Sequence, residues 1–178
     1  MKPLLTIALA ALLLVGCGKT AANQVAEHDA AFVLPTLSGR VVDRADLISP
    51  AIERSLGSRL ATLEARTTDQ FVVVTLETLG ARSIEDVGLR LGRGWGIGRA
   101  GKNNGLLLIV APSERKVRFE VGYGLEQRLK DEICAAIIQH DILPRFREGK
   151  IEDGIVAGVD GALRILDSAA VPALKKAG

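Results

Sequence analysis

Two apolar segments that lack polar alternation limit most strongly the folds open to this chain. The first runs from Phe71 to Leu76 and is interrupted only by Thr75, and the second runs from Leu106 to Val110. Strands with one face in water alternate polar and apolar residues, whereas strands covered on both faces are apolar throughout. The two segments therefore predict central strands of a sheet with helices packed on both sides.

Apolar residues elsewhere recur at helical spacing and predict four helices. Ser49 and Pro50 suit the N-cap and first position of one helix, and Ser83 begins the next. A third helix is predicted from Asp131 to Leu143, with Pro144 ending or kinking it. The apolar faces consist of Ile52, Leu56, Leu60 and Leu63; Ile84, Val87 and Leu91; Ile133, Ile137, Ile138 and Ile142; and Ile151, Ile155, Val159 and Leu163.

Two further segments predict the remaining strands. Val41 to Asp43 is a short candidate, and Lys116 to Val121 alternates charged and apolar residues as a half-exposed strand does. The four residues before Lys116 are few enough to join that strand to the preceding one as a hairpin. The prediction is a single α/β domain over residues 39–167, with a mixed sheet of about four strands, a hairpin and then two helices, followed by a flexible tail at 168–178.

The N-terminal segment predicts export and lipid attachment. Lys2 precedes an apolar run from Leu4 to Val15, which is shorter than the roughly 20 helical residues that span a bilayer and is typical of a signal peptide. Residues 14–17, Leu-Val-Gly-Cys, resemble the lipobox of bacterial lipoproteins, in which the cysteine becomes the first mature residue and is acylated. We expect a signal peptide at 1–16 and a lipidated Cys17 with a tether at 17–38; a plain secretory signal is the alternative.

Acylation of Cys17, with palmitate as one of several chains, would anchor the protein stably, because a single chain holds only marginally. Lipoproteins with a residue other than Asp after the cysteine are sorted to the outer membrane, and this chain has Gly18. The resemblance therefore implies a cell-envelope location, at the outer membrane and facing the periplasm if the cell is Gram-negative.

Charge and motifs exclude several classes of function. The chain has 23 Lys and Arg against 21 Asp and Glu, and this balance argues against a nucleic-acid partner because such proteins carry a concentrated basic surplus. Residues 96–101 match a dinucleotide-binding glycine pattern but precede a strand, whereas that motif must follow one. Cys134 lies among Ile and Ala residues and is predicted to be a buried hydrophobe rather than a nucleophile.

One group of polar residues is brought together by the predicted hairpin. In a hairpin the start of the first strand and the end of the second lie at the same sheet edge, so Asn103 and Asn104 should lie beside the segment that contains Glu126, with Asp131 opening the next helix. These oxygen ligands are the kind that calcium prefers. Helix capping and ordinary turns are the alternative explanation. Whether Asp43 reaches the same edge depends on strand directions that the sequence leaves open.

Six segments of the sequence lie at 42–49, 83–86, 95–98, 104–108, 121–126 and 142–147. In order and spacing, from about Gly39 to Leu166, they resemble the TPM domain family. The resemblance implies an α/β/α sandwich of the kind found in secreted or membrane-tethered bacterial proteins. The family also includes a plant thylakoid-lumen protein linked to photosystem II repair and described as an acid phosphatase, and some members bind calcium.

The resemblance also implies site residues. Asp43 and Asp131 match acidic positions of the family, while Asn103 stands where the family usually has Asp. The loss of one carboxylate is expected to weaken the binding of a divalent cation. Arg99 and Lys102 are candidates to face an anionic ligand.

The predicted function is that of a lipid-anchored accessory module that binds calcium, another divalent cation or a small polar ligand. The resemblance implies support of envelope or membrane-protein maintenance, with the membrane and an envelope membrane protein as partners. The alternative is a weak metal-dependent acid phosphatase that uses Asp43, Glu126 and Asp131 around a metal ion.

Overall fold

A computed structural model describes residues 33–168. The predicted signal peptide, Cys17, most of the tether and the tail from residue 169 onward lie outside the described residues. Four strands lie side by side in chain order, β1 to β4, and β1–β2 and β2–β3 are parallel while β3–β4 is antiparallel. The mixed four-stranded sheet predicted from the sequence is confirmed. The strands are β1 Val41–Asp43, β2 Gln70–Thr75, β3 Gly105–Ala111 and β4 Lys116–Val121.

Within residues 33–168, five α-helices cover the two faces of the sheet. One face packs against α1, α3, α4 and α5, and the other packs against α2. Successive residues of β2 and β3 alternate between the two cores, since Val73 belongs to the first and Val74 to the second. Both strands are thus covered on both sides, as their continuous apolar sequence predicts. The helices are α1 Pro50–Thr67, α2 Ile84–Trp95, α3 Asp131–Ile137, α4 Leu143–Arg147 and α5 Ile151–Ser168.

Both predicted helix starts are found, with different capping. The Ser83 side chain accepts a 3.1 Å hydrogen bond from the Asp86 backbone N–H, which satisfies an otherwise orphan donor of α2. The Ser49 side chain makes no such bond. Its backbone N–H instead donates to the Glu152 carboxylate on α5, so that the start of α1 is tied to the neighbouring helix.

The region around Pro144 departs from the prediction. Regular α-helix ends at Ile137, earlier than expected, and is followed by a π-helical turn from Ile138 to Ile142. The helical chain then continues past Pro144 as α4. Proline has no N–H and its ring clashes with the carbonyl four residues earlier. The Leu143 N–H donates to the Ile138 carbonyl and closes a turn that is wider than an α-helical turn. This wider turn allows the helical backbone to continue past the proline.

Among residues 33–168, no helix combines the length and the apolar character that crossing a membrane requires.

Candidate functional site

A cleft of about 440 Å³ opens between α2 and the end of β4. Its helical wall includes Gly88 and Gly92, which are four residues apart and lie on one side of α2, and Gly96, which caps the end of α2 with a φ of 63°. A Cβ atom at Gly88 would lie 2.9 Å from the Glu120 carboxylate, closer than side chains pack. The space of the cleft is thus created by missing side chains. Its charged lining residues are Arg93, Arg118, Glu120, Glu126 and Asp131.

The floor of the cleft is the meeting point of the loops before β3 and after β4. The Gly122 N–H donates to the Gly105 carbonyl at 2.8 Å, and the Gly124 N–H donates to the Asn103 carbonyl at 3.0 Å. A Cβ atom on Gly124 would lie only 1.9 Å from the Lys102 carbonyl oxygen. Glycine is therefore needed for the two loops to touch, and their predicted adjacency is confirmed.

Three predicted ligands line this cleft: Asn103, Glu126 and Asp131. Asn103 has a φ of 48°, in the left-handed region that asparagine tolerates better than most residues. No group of three His, Cys, Asp or Glu side chains that could hold a metal ion occurs within the described part of the chain. A cation in the cleft would therefore also need amide, backbone or water oxygens, which calcium accepts.

The structure does not place the side chain of Asn104, predicted to contribute to an oxygen-rich pocket, in the lining of the cleft. The residue is 5 % exposed. Its side-chain N–H groups donate to the Thr68 carbonyl at 2.8 Å and to Asp69 Oδ1 at 3.0 Å, and its oxygen accepts from the Arg99 backbone N–H at 3.0 Å. All of its polar atoms are used to join loops.

Asp43, predicted as a metal ligand, lies at the opposite end of the sheet, and the structure does not bring it together with the residues that line the cleft. It ends β1 opposite Thr75, which pairs with Val110 near the end of β3, whereas the cleft lies at the start of β3. The carboxylate accepts hydrogen bonds from the Ile48 backbone N–H at 2.8 Å and from the Thr75 hydroxyl. Asp43 thus stabilises the turn that leads into α1.

Arg99 and Lys102 also lie outside the cleft lining, facing the end of α1. An Arg99 nitrogen is 3.8 Å from Glu64, and the Lys102 ammonium donates to the Thr68 hydroxyl at 3.1 Å. The cations that do line the cleft are Arg93 and Arg118. The sequence signal that could have indicated Arg93 is its position next to Gly92, in a segment where glycines recur every four residues.

The two lining arginines differ in their ion pairs. Arg118 lies 2.9 Å from Glu120 and 3.6 Å from Glu85. Arg93 is exposed and, among the described residues, forms no ion pair. It is therefore the cation of this cleft whose charge is available to a ligand.

A buried network holds the loops of this edge together. Asp69 is 3 % exposed, and it accepts hydrogen bonds from the Arg128 guanidinium at 2.7 Å and from the Asn104 amide at 3.0 Å. The three residues belong to the segments before β2, before β3 and after β4. A buried carboxylate needs such partners, because an unpaired one is very costly. The network fixes the loop that carries Glu126.

A second set of contacts holds the glycine-rich loop after α2. The Gln70 side chain accepts from the Gly98 N–H at 2.7 Å and donates to Glu64 at 3.1 Å. Glu64 also accepts from Arg40 at 2.7 Å. Burial raises the pKa of Glu64, but the hydrogen bonds from Gln70 and Arg40 and the charges of Arg40 and Arg99 outweigh it and lower the pKa. The ionised carboxylate thus supports the wall of the cleft.

Comparison with known proteins decides the family. A model of the TPM domain matches residues 41–165, which is more than half of the chain. The chain belongs to the TPM domain family. No curated protein matches at a significant level.

Solved structures agree with the TPM assignment. The N-terminal domain of a P. gingivalis protein is 40% identical, with a TM-score of 0.69, over 74% of this chain and 83% of that one. BA42 from the psychrophilic bacterium Bizionia argentinensis is 18% identical, with a TM-score of 0.59, over 70% and 85%. The N-terminal domain of cg2496 from Corynebacterium glutamicum is 16% identical, with a TM-score of 0.56, over 78% and 84%. The last two are similar in fold alone.

The match to the TPM domain contains every lining residue of the cleft, since these extend from Gly88 to Asp131. Among residues 33–168, every residue that lines the cleft therefore belongs to the TPM domain.

Proposed function

We propose that this TPM domain is a lipid-anchored binding module of the cell envelope. Its cleft binds calcium, another divalent cation or a small polar ligand and so supports envelope or membrane-protein maintenance. The observation that carries the proposal is that Asn103, Glu126 and Asp131 line one cleft. The lipobox-like sequence before Cys17 supports the anchor, and the family resemblance supports the role in maintenance.

The charges of the cleft favour weak cation binding. Glu120 is already engaged by Arg118 at 2.9 Å, which leaves Glu126 and Asp131 as the carboxylates for a cation. Calcium affinity follows the number of charged ligands, and extracellular modules bind in the range of about 10⁻⁴–10⁻³ M. We expect this range here, with Asn103, backbone carbonyls and water completing the coordination.

Calcium titration tests this proposal. The protein is prepared as Cys17→Ser to remove the acylation site, and calcium binding is followed by calorimetry and by the melting temperature. Millimolar calcium should raise the melting temperature, because a ligand that binds only the native state stabilises it. Glu126→Gln and Asp131→Asn should abolish the rise. Glu132→Gln is the matched control, since Glu132 is exposed, adjoins Asp131 and does not line the cleft.

The outcomes separate the parts of the proposal. An equal rise in all variants would place the cation elsewhere. Neither heat nor a thermal shift with any divalent cation would leave only the polar-ligand form of the proposal, to be tested with phosphate.

A phosphomonoesterase is the second candidate. The observation that favours it is that Arg93 and Arg118 line the same cleft as the carboxylates, because guanidinium groups bind phosphate well. The test is turnover of p-nitrophenyl phosphate with calcium, magnesium or manganese, by the unmodified cleft and by Asp131→Asn. Absence of turnover with all three ions would reject the enzyme.

The anchor is tested separately. Cells that express the natural sequence are labelled with a palmitate analogue and fractionated, with Cys17→Ser as the control. Label and membrane association should both disappear in the variant. Label in both proteins, or in neither, would contradict acylation of Cys17.

A further inference from the structure

A second pocket lies at the other end of the sheet, far from the cleft. It is found where the β3–β4 hairpin meets α4 and the start of α5, and its volume is about 510 Å³. This volume is within the range of about 300–1,000 Å³ that is typical of small-molecule sites. Most of its lining is apolar: Val110, Ala111, Pro112, Val117, Leu143, Phe146 and Ile151.

The aromatic wall of this pocket is held in place by glycine. A Cβ atom on Gly154 of α5 would lie 2.6 Å from two ring carbons of Phe146. The ring therefore lies directly against the backbone of α5. Gly149, with a φ of 76°, donates its N–H to the Phe146 carbonyl and ends α4. The pocket is thus a preformed feature of the packing between α4 and α5.

The charged residues that line this pocket are all positive. Arg115 and Arg147 line it and are exposed, and neither forms an ion pair within residues 33–168. Lys116 also lines it, but strand alternation directs its side chain to the same face as Arg118. No Asp or Glu of the described residues 33–168 belongs to the lining. Two available guanidinium groups beside an apolar surface complement a molecule with an anionic head and an apolar chain.

We propose that this pocket binds a small anionic amphiphile, a carboxylate or phosphate that carries a chain of several carbons, as a free molecule. The head group binds Arg115 and Arg147, and the chain lies along Leu143, Phe146 and Ile151. The site does not depend on the cleft, because the two lie at opposite ends of β3.

Calorimetry with a series of fatty acids from butanoate to decanoate, used below micelle formation, tests the proposal on the full chain carrying Cys17→Ser. Affinity should rise about three- to fourfold per added CH₂ until the pocket is filled. Arg115→Gln and Arg147→Gln should each weaken decanoate about tenfold. Arg54→Gln is the control, because it removes the same charge from an exposed residue that does not line the pocket.

Three outcomes would overturn the proposal. They are the absence of saturable decanoate binding, equal affinity in the Arg115→Gln, Arg147→Gln and Arg54→Gln variants, and equal binding of decyltrimethylammonium. A separate experiment measures binding to vesicles of phosphatidylglycerol. Binding to the vesicles without binding of soluble decanoate would assign the arginines to a membrane surface and reject the pocket.

Discussion

The Arg128 guanidinium donates a 2.7 Å hydrogen bond to the Asp69 carboxylate across 59 residues of chain. Arg128 follows β4 and Asp69 precedes β2, so this pair connects the outer loops of the cleft edge. Asn104, between them, donates to the same carboxylate. The geometry of the candidate site therefore depends on a buried charge that has no direct contact with the cleft.

Removal of the cation from this pair should be costly. Arg128→Met leaves the Asp69 carboxylate buried with only its amide partner, and we expect a loss of about 3 kcal/mol in the free energy of unfolding. Denaturation in urea measures the loss. Arg164→Met is the control, since its pair with Asp141 is 3.2 Å long and the Arg164 side chain is 70% exposed; it should cost under about 1 kcal/mol. Equal losses would contradict the role given to Asp69.

Gly124→Ala should disrupt the contact between the two loops. The new Cβ atom would meet the Lys102 carbonyl at 1.9 Å, and the backbone must shift, at a cost of about 1–3 kcal/mol. The matched control is Gly57→Ala in α1, where a Cβ atom meets nothing within 4 Å. That variant should instead gain about 0.5–1 kcal/mol from higher helix propensity. A stable Gly124→Ala protein would show that the loops are not in close contact.

Glu64 should make stability depend on pH in the acid range. Its pKa is lowered in the folded state below the ordinary value of 4.5, because hydrogen bonds from Gln70 and Arg40 and nearby positive charges outweigh the effect of burial. Because the folded carboxyl binds its proton more weakly than the unfolded one, its contribution is present above pH 4.5 and is lost as the pH falls through the folded pKa. Urea midpoints measured from about pH 7 to pH 3 should fall less steeply in Glu64→Gln than in the parent. Parallel curves would refute this linkage.

The Cys134 thiol should be inert in the folded protein. Burial, followed by the negative charge of Asp131, raises its pKa from 9.0 to about 11. The thiol is therefore protonated near neutral pH, and its stabilising contribution is present below 9.0 and is lost as the pH rises through about 11. In the Cys17→Ser background, iodoacetamide at about pH 8 should alkylate Cys134 at least tenfold faster in urea than in buffer. Equal rates would place the thiol at the surface.

Periodicity predicted the elements well because burial is a local property of each segment. β2 and β3 are covered on both faces, as their unbroken apolar sequences indicate, and the hairpin correctly placed Asn103 beside the loop of Glu126. Sequence patterns did not indicate the directions of the strands or the orientations of individual side chains. Asp43 lies at the opposite end of the sheet from the cleft because β1 to β3 are parallel, which no local pattern indicates, and the Asn104 side chain turns toward Thr68 and Asp69. The pairing of Asp69 with Arg128 joins segments too distant for sequence spacing to relate.

The size of the cleft and its chemistry depend on different parts of the chain, because the glycines of its helical wall contribute space and no binding group. Its carboxylates and amide come from the loop before β3, the loop after β4 and the start of α3, whereas its width depends on the absence of side chains at positions 88, 92 and 96. A methyl group at Gly92 would lie 3.9 Å from Leu107 Cδ1, an ordinary contact distance, and would narrow the site while leaving the loops unchanged. Selectivity for ligand size can thus diverge among relatives by single substitutions on one helix, with the binding groups retained.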